Sequence, residues 1–224
     1  MEGIAQNTVK RAENLNNRQQ SIVAISALTA TGDLTSLKKA FTDGLASGLT
    51  VNEIKEELIH LAAYCGFPRS LNGINTFKAV IDERKAKGIT DVAGKSAMKV
   101  SDTDKYEKGK KVLESLTGRP ETGLKTGYAA FVPAIDTLLK EHLFNDIFTR
   151  GVLTNEEREL ITISALSGMG GADSQLQGHL GICMHLGFSP SQFSEVFLII
   201  ESKIGKVQAD AARAVLSKVA AARK

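Results

Sequence analysis

The residues best suited to chemistry lie in the last third of the chain, around His179. A glycine-rich turn at residues 168–171 leads into a predicted helix, and His179 falls about two turns into that helix. Gln175 and Cys183 stand four residues before and after it, so the three side chains share one helix face. Histidine is the side chain best placed for proton transfer near neutral pH. The pattern predicts an acid–base group on a pocket wall; the alternative is a buried histidine bonded to a neighbour.

The helix before His179 begins with a dense run of charges at residues 156–159. Carboxylates at a helix start are favoured by the helix dipole, and most of them should be solvated. Glu159 is followed by an apolar sequence, so its side chain can also point into the protein. In that orientation, Glu159 would orient the imidazole of His179 or share a proton with it. Arg158 either faces solvent or binds a substrate carboxylate through two hydrogen bonds.

Two other segments hold candidate pocket residues. The segment 64–72 begins with Tyr64 and contains a Gly-Phe-Pro corner that joins two predicted helices. Arg69 lies at the start of the second of these helices, where the helix N-terminus favours an anion; the alternative is a tight interhelical corner. His142 lies at the end of an apolar helix face, where it is either a pocket residue or a structural one. His60 and His185 are interpreted as structural.

The chain contains an internal duplication. Ile25-Ser26-Ala27-Leu28 recurs as Ile163-Ser164-Ala165-Leu166 at an offset of 138, and Gly48-Leu49-Thr50 faces Gly187-Phe188-Ser189 at an offset of 139. Apolar residues recur with a helical period in both copies, and no alternating strand pattern is present. We therefore predict an all-α fold of two tandem helical repeats, with a first repeat at 1–87, a connecting segment with helices at 88–152 and a second repeat at 153–224.

Composition narrows the functional class. The 224 residues are 42% hydrophobic and 24% charged, with a formal net charge of +3, 5% aromatic residues and two cysteines. These values indicate a globular protein and exclude a disulfide scaffold. The weak positive charge predicts no nucleic-acid partner, and no apolar run long enough to span a membrane is present. Residues 1–6 lack the apolar run of a signal peptide, which predicts a cytoplasmic protein, or a periplasmic one if a signal has been removed.

These residues resemble the carboxymuconolactone decarboxylase family, which also contains the alkylhydroperoxidase D proteins. Three stretches carry the resemblance: residues 64–72, the helix from Arg158-Glu159 to Leu166, and the helix from Gln175 to His179 that ends near Ser189. Because it covers both copies, the chain is similar to a fused pair of family domains. The resemblance implies helical units that assemble as a homo-oligomer, a trimer of doubled chains.

The resemblance also implies a cofactor-free and metal-free decarboxylation in aromatic catabolism. Loss of carbon dioxide from a lactone dicarboxylate leaves a delocalised carbanion, which requires a general acid and cationic groups that hold the carboxylates. By resemblance, His179 is the acid/base and Glu159 orients it. The residues expected to line the substrate site are Arg158, Gln175, Cys183, His142, Arg69 and Tyr64.

The hydroperoxidase branch of the family instead uses a CxxCxxxH motif with a nearby glutamate. When the family histidine is placed on His179, the two cysteine positions fall on Ala172 and Gln175, and the counterpart of His179 in the first copy is Ala40. The sequence therefore disfavours a thiol peroxidase, which lacks its nucleophile, and predicts one site per doubled chain.

Two other functions stay open beside the decarboxylase. The first is a non-catalytic oligomeric protein that binds a small molecule. The second is an atypical redox protein that uses Cys65 or Cys183. The sequence does not identify the substrate, because one fold hosts several reactions.

Overall fold

A computed structural model of the chain describes residues 13–100 and 102–222, and every regular element in them is helical. The α-helices are α1 (Asn17–Thr31), α2 (Leu34–Ala46), α3 (Val51–Ala86), α4 (Lys105–Thr117), α5 (Gly127–Phe131), α6 (Pro133–Leu138), α7 (Asn155–Met169), α8 (Asp173–His185), α9 (Pro190–Lys203) and α10 (Lys206–Ala221). A π-helix (Leu139–Ile147) and a 3₁₀ turn (Phe148–Arg150) follow α6. The all-α prediction is confirmed. Residues 1–6, on which the predicted location depends, lie outside the described residues.

Local sequence signals set the helix boundaries. Four helices, α1, α3, α7 and α9, start at capping boxes. In each, the cap side chain accepts from the backbone N–H of the third helical residue, and the backbone N–H of the cap donates to the side chain of that residue. These caps are Asn16, Thr50, Thr154 and Ser189. Inside α3, Gly66 has φ +82° and ψ 155°, which bends the chain one residue before Phe67-Pro68. This bend divides α3 into two segments.

The duplication is visible in the helix boundaries themselves. The start and the end of α7 follow those of α1 at an offset of 138, and the start and the end of α8 follow those of α2 at an offset of 139. The first segment of α3 corresponds to α9, the second corresponds to α10, and Gly205 interrupts the second repeat where Gly66 bends the first. Each repeat is therefore the same four-helix unit. The prediction of two tandem repeats is confirmed.

The two repeats meet through their first helices, which pack along each other at the centre of the molecule. The crossing is close, because a Cβ atom built on Gly168 would lie 3.3 Å from the Cα atom of Ala27. Each first helix also packs against the third helix of the other repeat, α1 against α9 and α7 against α3. A single apolar core runs through both repeats, so a pocket of either repeat contains residues of the other.

The connecting segment covers one side of this core. Residues 88–100 have no regular structure, and Val92 accepts a hydrogen bond from the Val51 N–H at the start of α3. Helix α4 packs against the π-helix, and Leu116 and Phe148 belong to a second apolar cluster between them. The predicted limits of the segment, 88 and 152, stay a prediction. In the described part of the chain, no helix has the length and apolar character needed to cross a membrane.

Candidate functional site

The centre of the candidate site is a contact between α7 and α8. The Nδ1 atom of His179 lies 2.7 Å from Oε2 of Glu159. The Glu159 side chain is fully buried, whereas 14% of the His179 side chain is exposed. Since a carboxylate can only accept, Nδ1 carries the proton of this bond, and Nε2 is the nitrogen left for a ligand. The arrangement fixes the orientation of the imidazole.

Tyr64 and His60 extend the site along the first segment of α3. The Tyr64 ring meets the edge of the His179 ring at 5.4 Å between centroids, and it lies 5.0 Å from the His60 ring. Burial, and then the charge of Glu159, raise the pKa of the Tyr64 hydroxyl. The phenol therefore stays neutral and able to donate a hydrogen bond. Two side chains from the first repeat thus lie beside the His179–Glu159 pair of the second repeat.

The hydrogen bonds around His60 fix its tautomer. Nε2 of His60 lies 2.8 Å from the hydroxyl of Thr162, and that hydroxyl donates its own proton to the backbone carbonyl of Arg158. The hydroxyl therefore accepts from His60, so Nε2 is protonated and Nδ1 carries a lone pair. Burial, followed by the charges of Arg158 and His179, lowers the pKa of His60 well below its usual value. His60 is neutral in the folded protein.

Arg158 is the largest fully buried side chain in the described part of the protein. Its Nη1 faces the lone pair of His60 Nδ1 at 3.5 Å, and its guanidinium carbon lies 5.6 Å from the centre of the Phe148 ring. Nη2 lies 3.5 Å from Oε2 of Glu56, which is an ion pair but too long for a strong hydrogen bond. Burial lowers the pKa of Arg158 to about 10, so the group remains charged at neutral pH.

Glu56 is shared between two arginines. Arg150, from the 3₁₀ turn of the connecting segment, donates hydrogen bonds to Glu56 from Nε and Nη2 at 2.8–3.0 Å. Nη2 of Arg158 lies 3.5 Å from the same carboxylate. A two-pronged arginine–carboxylate bond of this kind is the stronger of the two contacts. The positive charge of Arg158 is therefore only partly neutralised by the protein.

Several buried polar atoms of the site make no hydrogen bond. They are Tyr64 Oη, Arg158 Nε and Nη2, and Glu159 Oε1, and Nη2 has only the 3.5 Å ion pair with Glu56. Leaving such an atom without a hydrogen bond costs about 1–3 kcal/mol, so a buried group of them calls for an explanation. Three of the four are donors and belong to Tyr64 and Arg158. The oxygens of a carboxylate or another oxyanion are the acceptors that such donors require.

The two cysteines are free, and their surroundings oppose the thiolate form. Cys183 is fully buried on α8, and burial, together with the charge of Glu159, raises its pKa well above the usual value. Burial raises the pKa of Cys65 to about 11, although the charge of Arg69 acts in the opposite direction, and its thiol donates to the Leu61 carbonyl. Neither thiol has the depressed pKa of a reactive cysteine.

Two other predicted site residues, Gln175 and Arg69, do not contact the His179–Glu159 pair through a hydrogen bond in the described part of the chain. Gln175 lies one turn before His179 but is exposed, so the face of α8 that carries Gln175, His179 and Cys183 runs from solvent into the core. Arg69 is half-buried beside Cys65, beyond the bend of α3. Neither side chain has a contact with Glu159 among the hydrogen bonds of the described residues.

His142 is placed away from the pair. Its side chain is 53% exposed on the π-helix, and Nδ1 lies 4.0 Å from Asp146. The π-helix instead packs with Leu143, Phe144 and Ile147 inward. The prediction from one apolar helix face assumed 3.6 residues per turn, whereas the π-helix has a wider turn that rotates His142 outward. His142 therefore does not contribute to the arrangement around His179.

Sequence reasoning missed much of the inner part of the site. Glu56, Phe148, Arg150 and Thr162 were not singled out, and His60 was interpreted as structural. The signal that was available is the pair of Glu56 and His60, which lie four residues apart on one helix face, next to the apolar residues Leu58 and Ile59. A carboxylate on such a face predicts a buried charge, and a buried charge requires an arginine partner.

No group of three or more His, Cys, Asp or Glu side chains in residues 13–100 and 102–222 is arranged to hold a metal ion. The candidate site consists of a histidine–carboxylate pair, a neutral imidazole, a phenol and a buried guanidinium.

Comparison with known proteins gives one result that covers both repeats. The sequence model described as the carboxymuconolactone decarboxylase family matches residues 1–79 and 133–218. The second matched segment starts within the connecting segment and includes the π-helix and the 3₁₀ turn. No curated protein matches the chain.

Proposed function

Because the chain belongs to the carboxymuconolactone decarboxylase family, we propose that His179 and Glu159 catalyse proton transfer in the decarboxylation of a small carboxylate, or in a related lyase or isomerase reaction. The observation that carries the proposal is the 2.7 Å contact between His179 Nδ1 and the fully buried carboxylate of Glu159. This pairing is the arrangement by which an imidazole is oriented for general acid–base catalysis.

In the proposed reaction the bond between the substrate carbon and its carboxylate breaks, and carbon dioxide leaves. The electron pair of that bond moves into the conjugated lactone carbonyl, and the resulting carbanion takes a proton from Nε2 of protonated His179. Glu159 stabilises the imidazolium before the transfer, and water returns the proton afterwards. The buried donors of Arg158 and Tyr64 have the chemistry to hold an oxyanion of the substrate during this charge movement.

The unpartnered buried atoms also support a second candidate function. A ligand carboxylate bound by Arg158 and Tyr64 would satisfy them whether or not any bond is broken. A non-catalytic binding protein would therefore keep the same atoms. The two functions differ in one respect: a ligand would stabilise a binding protein without being consumed.

The raised thiol pKa values weigh against the third candidate. A peroxidase needs a cysteine that is a thiolate near neutral pH, and burial opposes this form at Cys65 and Cys183. Neither cysteine occupies a position of the CxxCxxxH motif before His179.

The test is a turnover assay on the whole chain. Carbon dioxide release from 4-carboxymuconolactone is followed, with peroxide consumption in the presence of a dithiol reductant measured in parallel. The proposal predicts carbon dioxide release that is lost in His179→Asn and no peroxide consumption. Peroxide consumption that requires Cys65 or Cys183 would contradict it, and ligand-dependent stabilisation without turnover would favour the binding protein.

We also propose that the chain assembles as a homo-oligomer. The connecting segment exposes the large apolar side chains Leu124, Tyr128, Phe131 and Leu138, with exposed fractions of 59–96%. An apolar surface of this kind indicates an interaction site. Analytical ultracentrifugation of the wild type and Phe131→Glu tests the proposal, which predicts a smaller species for the variant. A monomeric wild type would contradict it.

A further inference from the structure

The first repeat contains a cleft at the position that corresponds to the candidate site of the second repeat. The cleft has a volume of about 710 Å³ and lies between α1, α2 and the end of α9. The repeat offsets of 138 and 139 relate its walls to the candidate site. The counterparts of Arg158, Glu159, His179, His60 and Tyr64 are Gln20, Ser21, Ala40, Ile199 and Lys203, and all five line the cleft.

The cleft exists because smaller side chains replace larger ones. In the second repeat, the imidazole of His179 and the carboxylate of Glu159 meet in the space between the helices. In the first repeat, Ala40 and Ser21 leave that space open, and Ser21 turns to a hydrogen bond with Ser47 instead. The volume of the cleft lies within the range of about 300–1,000 Å³ that is common for small-molecule sites.

The lining of the cleft determines which ligand it can hold. The buried Ala24 and Ala40, with Leu28 and Ile199, provide an apolar surface. Hydroxyl groups of serines and the amide of Gln20 surround this surface and can hydrogen-bond a ligand. The apolar part can contact an apolar portion of a ligand, and the polar part can hydrogen-bond its oxygen substituents.

One positive charge of the cleft is not balanced within it. Lys39 and Asp43 also line the cleft, but they form an ion pair with each other at 2.6 Å. Lys203, at the end of α9, lines the opposite wall and has no ion pair among the described residues. The charge balance of the cleft is therefore +1, which favours an anion with a single negative charge.

We propose that this first-repeat cleft binds an organic monocarboxylate with an apolar portion, with the carboxylate at Lys203. The site contains no acid–base pair, because the positions of Glu159 and His179 are held by Ser21 and Ala40. It is therefore a second ligand site that does not itself catalyse a reaction. This inference does not depend on the proposed function of the candidate site.

The experiment measures binding of 2-naphthoate to the full chain by isothermal titration calorimetry, with 2-naphthamide as the uncharged analogue. The proposal predicts that 2-naphthoate binds more tightly than 2-naphthamide. Lys203→Met should remove this preference by lowering naphthoate affinity about threefold to fivefold, the size expected for an exposed charge pair. Lys218→Met, at an exposed lysine of α10 that does not line the cleft, is the matched control and should bind like the wild type.

Two blocking variants locate the bound ligand. Ser202→Trp places a large side chain at an exposed position of the cleft wall, and Ala40→Phe fills the cleft from the buried side. Ser202→Trp keeps the test valid if Ala40→Phe does not fold. Both are expected to abolish binding, and Glu159→Gln is expected to leave it unchanged. Absence of binding to the wild type, equal affinity for the amide, or binding that survives Ser202→Trp would overturn the proposal.

Discussion

In the second repeat, the space between the first two helices holds Glu159 and His179, whereas the corresponding cleft of the first repeat holds Ser21 and Ala40. The two pairs of helices have the same lengths and equivalent ends. The difference therefore lies in a few side chains and not in the helix boundaries. Helix caps and apolar packing recur in both repeats, whereas the contact between His179 and Glu159 has no counterpart at Ala40 and Ser21.

The residues around the His179 site also differ from those around the first-repeat cleft. At the His179 site, the connecting segment contributes Phe148, which packs against His60, and Arg150, which binds Glu56. The residue equivalent to Glu56 beside the first-repeat cleft is Glu195 of α9, which is half-buried and accepts a hydrogen bond from the Leu15 N–H at 2.9 Å. Buried charges are costly unless they are paired, so Glu56 and Arg158 require this additional layer beside the His179 site.

The largest expected effect comes from removal of the negative charge beside His179. Glu159→Gln keeps the size of the side chain but no longer stabilises the imidazolium or fixes the Nδ1 proton. We expect kcat for the proposed decarboxylation to fall about 10³-fold with little change in KM. Glu156→Gln, in the first turn of the same helix, is the matched control and should keep the wild-type kcat. Equal losses in the two variants would contradict the assigned role.

A stability comparison tests the charged layer of Glu56, Arg150 and Arg158 beside the His179 site. Glu56→Gln leaves the buried Arg158 and its neighbour Arg150 without a carboxylate, and we expect a loss of about 3 kcal/mol in the free energy of unfolding. Glu195→Gln keeps an amide oxygen for the Leu15 N–H, so a loss below about 1 kcal/mol is expected. Denaturant unfolding followed by circular dichroism measures both. Similar losses of unfolding free energy in Glu56→Gln and Glu195→Gln would contradict the different environments assigned to the two glutamates.

The pH dependence of stability distinguishes His60 from its counterpart Ile199, which does not titrate. The pKa of His60 is lowered in the folded state, so below about pH 6.5 the unfolded chain binds a proton that the folded protein excludes. Stability is therefore complete above that pH and is lost as the pH falls, by up to about 1.4 kcal/mol per pH unit. His60→Asn should remove this slope.

Glu57 acts in the opposite direction, because burial raises its pKa and favours the folded protein at low pH. It is present in both proteins, so it cancels in the difference between wild type and His60→Asn. Unfolding measurements between about pH 4.5 and 8 provide the test. Parallel curves for the two proteins would contradict a neutral, buried His60.

The smallest effect is expected at the thiols. The pKa of Cys65 is raised to about 11, so the thiolate is scarce at neutral pH. Cys65→Ser should change turnover by less than about twofold, because a thiol in this state is not a nucleophile. Thiol titration with a disulfide reagent, compared with turnover of the same samples, measures both properties. A rapid reaction of Cys65 together with loss of turnover on substitution would favour the redox alternative.

The fold could be predicted from the sequence because its signals are local. Capping boxes such as Thr154 with Glu157, the bend at Gly66 and the repeated Ile-Ser-Ala-Leu segment each depend on a few neighbouring residues. The proximity of Glu159 to His179 was also accessible, since the two lie on consecutive helices of one repeat. The roles of these two residues stay predictions.

The rest of the site depends on contacts that sequence spacing does not contain. His60 meets Thr162 across 102 residues, and Arg150 meets Glu56 across 94. These pairs form because the first helices of the two repeats cross and bring α3 against α7, which no local pattern encodes. The same limit applies to His142, whose outward position follows from a π-helix that the apolar period did not indicate.

The central claim is that each chain has one acid–base site, centred on His179. The most direct test compares kcat for carbon dioxide release from 4-carboxymuconolactone in the wild type, His179→Asn and His142→Asn. His142 is the matched control, because it is a histidine that the structure places on the exposed side of the π-helix. The account predicts a loss of at least about 10²-fold for His179→Asn and a change below about twofold for His142→Asn. Wild-type turnover in His179→Asn would contradict it.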